Sequence, residues 1–308
     1  MHVHSKPILI QPPVWNLASR ILGFASVVGF VGVVYLTLTP PERIAGAPKH
    51  QPPLLPRASL LRVAGRAFLP VMADYYWLAA IQAAGNANSE GQYRDIADYA
   101  QLITDIDPDF AYVYQFAGMM APYNRGRETW VNTKESTAIL EKGLARFPNK
   151  VALRTLLAYN YSVYDKAYVK AARLLEDTVR LPDAPPYVSL LATRLYAQGG
   201  AFDAASAFAD QFAATSADAE TRERFEHRKR EIALERILQT LDQAVASFQA
   251  RTGRLPNDLK ELVSTGLLPS IPADPLEGEL YLGTDGRTYS TAQEHRLEVW
   301  VPHQELKK

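Results

Sequence analysis

Asp105, Asp107 and Asp109 alternate as the first ligands of a calcium loop do, and Asp274, Glu277, Glu279 and Asp285 crowd a turn-rich stretch where carboxylates would gather round a cation. The first pattern fails on its neighbours. Pro108 interrupts it, and Phe110 stands where such a loop needs glycine, so a helix end followed by a turn accounts for the aspartates better. In the second, turn chemistry alone would place aspartates, and a bound cation stays the alternative. His50, His227, His295 and His303 are scattered, with no motif linking them to a nucleophile, and His2 and His4 belong to a tail with no specific task. The sequence holds no phosphate-binding glycine loop, HExxH pair or GxSxG elbow. It also has no cysteine, which excludes disulfides, thiol catalysis and cysteine-ligated metal. The expectation is a protein that is not an enzyme and carries no metal or cofactor.

The elements that would position side chains are therefore the main source of information. The chain has 308 residues, room for more than one domain, and its 47% apolar and 21% charged residues describe ordinary globular composition. Thirty-three basic residues balance thirty-three acidic ones, and nothing in that balance recommends nucleic acid as a partner.

After a tail over 1–20, Ile21 to Leu38 is an 18-residue run without a charge. At about 1.5 Å per residue it spans roughly 27 Å, enough for the hydrocarbon core of a bilayer. Trp15 and Tyr35 suit the two interfaces, and Gly23, Gly29 and Gly32 are of a kind common in spanning helices. Ala45-Gly46-Ala47 has the small residues of a signal cleavage site, and a cut there would release a secreted protein. Pro48 directly after it and the length of the run favour an uncleaved anchor. The positive charges flanking the run do not decide its orientation; a short tail before a single span favours a large domain outside the cytoplasm, hence periplasmic. Six prolines between Pro40 and Pro56 make 39–57 a stiff, extended linker. Ala58–Leu69 then shows helical spacing, with Arg57, Arg62 and Arg66 among leucines and Phe68. It reads as an amphipathic helix covering the array that follows, with contact to anionic lipid as the alternative.

Residues 58–218 are read as an array of helix pairs. Pro108, Pro148 and Pro182 end successive units at intervals of 40 and 34 residues. The first unit pairs Asp74–Ala84 with Tyr93–Ile106, and the second pairs Phe110–Met120 with Glu135–Phe147 across an insertion containing Pro122, Asn124, Gly126 and Trp130. In the third, Leu157, Ala158 and Tyr161 mark the first helix and Ala171 and Leu175 the second; a fourth begins at Tyr187. These marks and the 34-residue interval resemble tetratricopeptide repeats over about residues 70 to 215. The first two units are degenerate, with Ile96 where a small residue is expected. The resemblance implies a right-handed superhelix whose concave face, lined by first helices, binds a peptide or protein. By offset within each unit, Tyr112, Gln115, Met119, Tyr159, Tyr187 and Arg194 would line that groove; aromatics at this spacing also serve as packing between repeats.

Ala219 to Arg251 has a long helical pattern with a heavily charged first half, the expected cap for an array whose last core edge would otherwise be bare. The remainder, 252–308, is read as a small α+β module. A helix falls within Arg254–Leu268, a hairpin turns at Asp285-Gly286 between Leu280-Tyr281-Leu282 and Thr288-Tyr289-Ser290, and Leu297–Val301 adds a third strand. This module is similar to the C-terminal half of pseudopilins and type IV pilin-like subunits, without their N-terminal methylation motif.

The fold class expected is thus mostly α: a transmembrane helix, a helical-repeat solenoid of tetratricopeptide type and a small module with a sheet. The expected role is a membrane-anchored adaptor docking protein partners in a bacterial envelope assembly or transport machine. The alternative is an apolar-ligand or lipid-handling protein using the aromatics Tyr75, Tyr76, Trp77, Tyr112 and Tyr114.

Overall fold

A computed structural model describes residues 50–298, apart from residues 67, 127, 128 and 217. The tail, the apolar run, most of the linker and the last ten residues lie outside it. Among the described residues no helix is long and apolar enough to cross a membrane, and Ile21–Leu38 falls outside them.

The chain is mostly helical. Helix α1 covers Ala58–Ala64, followed by α2 (Leu69–Asn86), α3 (Glu90–Ile106), α4 (Ala111–Met120), α5 (Thr133–Arg146), α6 (Val151–Val163), α7 (Tyr168–Val179), α8 (Tyr187–Gln198) and α9 (Phe202–Thr215). From α2 onward each packs on the next in sequence, while α1 packs on α3; α4 also packs on α6, and α3 on α5. Successive helix pairs in order are what the proline spacing predicts. Pro108, Pro148 and Pro182 follow α3, α5 and α7, where a residue without an N–H can no longer extend a helix.

Contact within the second pair depends on small residues. A Cβ on Gly118 would lie 2.5 Å from Leu140 Cδ2, and one on Gly143 2.7 Å from Tyr114 Cγ, so α4 and α5 approach through both glycines. A buried polar chain crosses the same layer. Asn160 of α6 donates to Ser136 Oγ at 2.7 Å, and Ser136 donates to the Gly118 carbonyl at 2.6 Å, so three helices share satisfied hydrogen bonds in the core. The aromatic expected between repeats is present twice in one role. Tyr161 of α6 donates to Glu141 of α5 at 2.6 Å, and Tyr196 of α8 donates to Glu176 of α7 at 2.5 Å. Burial, reinforced by the neighbouring carboxylate, raises the pKa of both phenols.

Helix α10 (Ala219–Thr252) begins at Asp218, whose side chain accepts from Thr221 N at 2.7 Å, and ends at Gly253 with φ 75°. Those are an N-cap and a left-handed C-terminal glycine. Its first half closes the array: Phe225 stacks on Phe212 of α9 at 5.3 Å, and Ile232 joins the same core. Its second half turns Leu241, Val245 and Phe248 into a separate core with Leu259, Leu262 and Leu268. Helix α11 (Leu259–Ser264) supplies part of that core. It starts on a capping box in which Asp258 accepts from Glu261 N at 3.0 Å, while Glu261 reaches back to Asn257 N at 2.8 Å. Gly266 follows with φ 70°.

One expectation is corrected, and two segments are placed more closely. The helix read over 58–69 is broken: α1 stops at Gly65, where a Cβ would meet Met72 at 2.6 Å, and α2 restarts with Pro70 in its first turn. The insertion folds as a minimal hairpin, with β1 (Tyr123–Asn124) antiparallel to β2 (Trp130–Val131). The C-terminal sheet has two described strands, β3 (Leu280–Leu282) and β4 (Thr288–Ser290); of the third strand read over Leu297–Val301 only Leu297 and Glu298 are described, neither in a strand, and the rest lies outside the described residues. That segment is held by α10 instead. Arg296, 4% exposed at its side chain, donates to Glu235 (0% exposed) at 2.6 Å and also bonds Asp242, while Leu297 N donates to Glu235 at 3.3 Å. Burial pushes the Glu235 carboxyl up, against the pull of Arg296.

Candidate functional site

Four of the six groove residues are exposed on successive first helices. Tyr112 (58% exposed) and Met119 (61%) lie on α4, Tyr159 (47%) on α6 and Tyr187 (57%) on α8. Gln115 and Arg194 are half-buried. On each of these helices, residues one or two positions away are core: Val113 and Tyr114, Leu157 and Ala158, Val188 and Ser189. The exposed side chains therefore stand on the face opposite the packing, as helical periodicity requires.

The site residues fall into three groups. Tyr112 sits edge-on to Trp77 of α2 at 5.6 Å, and Trp77 packs edge-on against Phe116 at 4.8 Å and Phe110 at 5.5 Å. Tyr159 meets Tyr164 edge-on at 5.6 Å, and Tyr164 in turn meets Trp130 of the β1–β2 hairpin at 5.4 Å. Burial and its Tyr159 neighbour raise the Tyr164 pKa. The third group is basic. Arg228 of α10 has a side chain 11% exposed, and its Nε and Nη1 lack hydrogen-bond partners. Nη1 lies 3.0 Å from Glu231 without hydrogen-bond geometry. Burial lowers the Arg228 pKa, and Arg194 lowers it further, so the two guanidiniums sit within electrostatic reach. Sequence reasoning found Arg194 but missed Arg228 and Trp130. Arg228 is hidden within a charged run, and the insertion carrying Trp130 has no helical periodicity.

The aromatic set proposed for an apolar ligand does not act together. Tyr114 is 1% exposed and donates to the Pro108 carbonyl at 3.1 Å, so it belongs to the core. A separate recess of about 240 Å³ lies among Val179, Pro185, Leu190, Phe212 and Phe225, with Arg224 at its margin.

The acidic patterns are occupied locally. Asp105 pairs with Lys142 at 2.7 Å, Asp109 with Arg146 at 2.5 Å, and Asp107 accepts from Asp109 N at 3.1 Å. Asp274 accepts from Leu276 N at 2.7 Å and from Ser290, and Asp285 accepts from Arg287 N at 3.1 Å and Tyr289 at 2.6 Å. Burial and Asp285 push the Tyr289 phenol up to about 12. Among the described residues no group of His, Asp or Glu is placed to hold a metal ion.

No protein-family model matches the chain, and no curated protein matches it.

Proposed function

We propose that the chain is a membrane-anchored docking scaffold, a helical-repeat protein of tetratricopeptide type that recruits a protein partner in a bacterial envelope assembly or transport machine. The observation that carries this reading is the row of exposed Tyr112, Met119, Tyr159 and Tyr187 on the first helices of successive pairs. Tyrosine offers large contact area with few rotatable bonds and a polar tip, which suits repeated modest contacts with an incoming chain. Arg194 and Arg228 add a chemical preference. Arg228 Nε and Nη1 keep unbonded donors even with Glu231 beside them, and Arg194 adds positive charge within electrostatic reach, so a carboxylate of the partner would find donors there and the partner segment is acidic at that point. The Ile21–Leu38 run supplies the anchor, and the linker lifts the array from the bilayer.

The test is an affinity pull-down from detergent-solubilised membranes with the full chain, Tyr159→Ala and Arg194→Ala. Each substitution is expected to cost about tenfold in affinity for a specific partner, the scale of an interface hot spot. Recovery of the same partners in the same amounts by all three would end the groove assignment.

A further inference from the structure

Apolar exposure in this protein is concentrated before the array begins. Among the described residues, eight of the fourteen exposed large hydrophobic side chains lie between Leu54 and Ile81. On α2, Phe68, Val71, Tyr75 and Leu78 follow one another by three, four and three residues and are 54–64% exposed, with Ile81 (41%) one further turn on. That spacing places them on one helix face, opposite buried Ala73 and Ala80. Leu54 (101%), Leu60 (62%) and Val63 (85%) continue the apolar exposure through α1 and the segment leading to it. A solenoid normally ends in a polar outer face. This end does not.

The charges nearby are mostly basic, with exposed Asp74 the one acid on the α2 face. Between residues 51 and 89 the charged side chains are Arg57, Arg62, Arg66 and a single acid, Asp74. Arg62 is engaged with the Asp105 carbonyl of α3, while Arg57 and Arg66 are exposed. Apolar and aromatic side chains beside exposed arginines form the composition that settles into the headgroup layer of an anionic membrane.

We propose that the exposed face of α1 and α2 rests on an anionic bilayer surface, as a second membrane contact beyond the anchor. The inference depends on Ile21–Leu38 being that anchor. The linker 39–57 can extend to about 59 Å at 3.1 Å per residue, so it allows contact with the surface but does not enforce it. Tethering raises the local concentration of the face near lipid, so a weak intrinsic affinity is enough. A second copy of the chain is a poorer occupant. A symmetric contact through this face would bring its exposed arginines toward those of its partner.

The absence of cysteine makes the proposal easy to test. Val71→Cys and Leu78→Cys on the face, and Gln243→Cys on the exposed side of α10, would each carry one environment-sensitive fluorophore on the full chain. The chains are reconstituted into phosphatidylcholine vesicles with or without phosphatidylglycerol, and quenching by brominated lipid is read after flotation. The expected result is quenching several-fold stronger at positions 71 and 78 than at 243, increased by phosphatidylglycerol and reduced by Arg57→Glu with Arg66→Glu. Equal quenching at all three positions in floating vesicles overturns the proposal and leaves the anchor intact. Emission shifts at 71 and 78 that follow protein density rather than brominated lipid overturn it in favour of self-association. A chain that fails to float overturns both the proposal and the anchor reading.

Discussion

At its C-terminal end the array is closed by α10, which buries Phe225, Ile232 and Leu234 and leaves Arg222, Glu223, Glu226 and Arg230 in water. At its N-terminal end α2 buries Ala73 and Ala80 and leaves Val71, Tyr75 and Leu78 in water. Both lie near the ends of the run of packed helices, yet one has a polar exterior and the other does not. The closed end is also tied to the C-terminal module through the Glu235–Arg296–Asp242 cluster. The difference teaches that the stack has a direction. One terminus is finished within the fold, and the other presents an apolar surface beside the linker that leads to the predicted anchor.

The largest effect expected is at the closed end. Arg296→Met would leave Glu235 as an unpaired carboxylate with no exposure and cost about 3–5 kcal/mol, read by chemical denaturation of the purified chain. Glu235→Met combined with Arg296→Met should recover most of that loss, because the penalty comes from the orphaned charge. A single substitution that costs less than about 1 kcal/mol would show that the cluster does not hold the two parts together. At the open end, Leu78→Gln should change stability by no more than about 0.5 kcal/mol in the same measurement, since it alters an exposed face. A substantial loss there would mean that the face is covered, and the contrast between the ends would disappear. The smallest effect concerns pH. Arg254, together with the Asn257 N–H, holds the Glu261 carboxyl down at about 2, from 4.5. A depressed carboxyl contributes stability that is complete above pH 4.5 and is lost as the pH falls toward 2. Glu261→Gln should therefore unfold earlier than the parent on the neutral side of that window, and the two acid-unfolding curves, followed by circular dichroism, should converge near pH 2.

The helical part of the fold was legible because each signal was local. Apolar residues at helical spacing and prolines at 108, 148 and 182 each act within one or two turns. Tyr112, Met119, Tyr159 and Tyr187 are exposed, and periodicity separates the two faces of α4, α6 and α8. What was not legible depended on distance or on very short elements. Arg296 finds Glu235 across 61 residues with no motif to announce the pairing, and Leu297 N joins it on the same carboxylate. The β1–β2 hairpin pairs two residues with two, too few for an alternating pattern to appear. The break between α1 and α2 falls at Gly65, the residue that caps α1 and packs close to Met72, in a stretch whose spacing remains helical throughout.

Helix α10 contributes side chains to both hydrophobic cores, and its 34 residues run for about 51 Å without interruption. It can therefore serve as a lever. Thr288 of the β3–β4 hairpin is tied to it at Leu238 and Asp242, the latter about 21 Å along the axis from Arg228. A tilt of about 10° about Arg228 would move that attachment by about 4 Å.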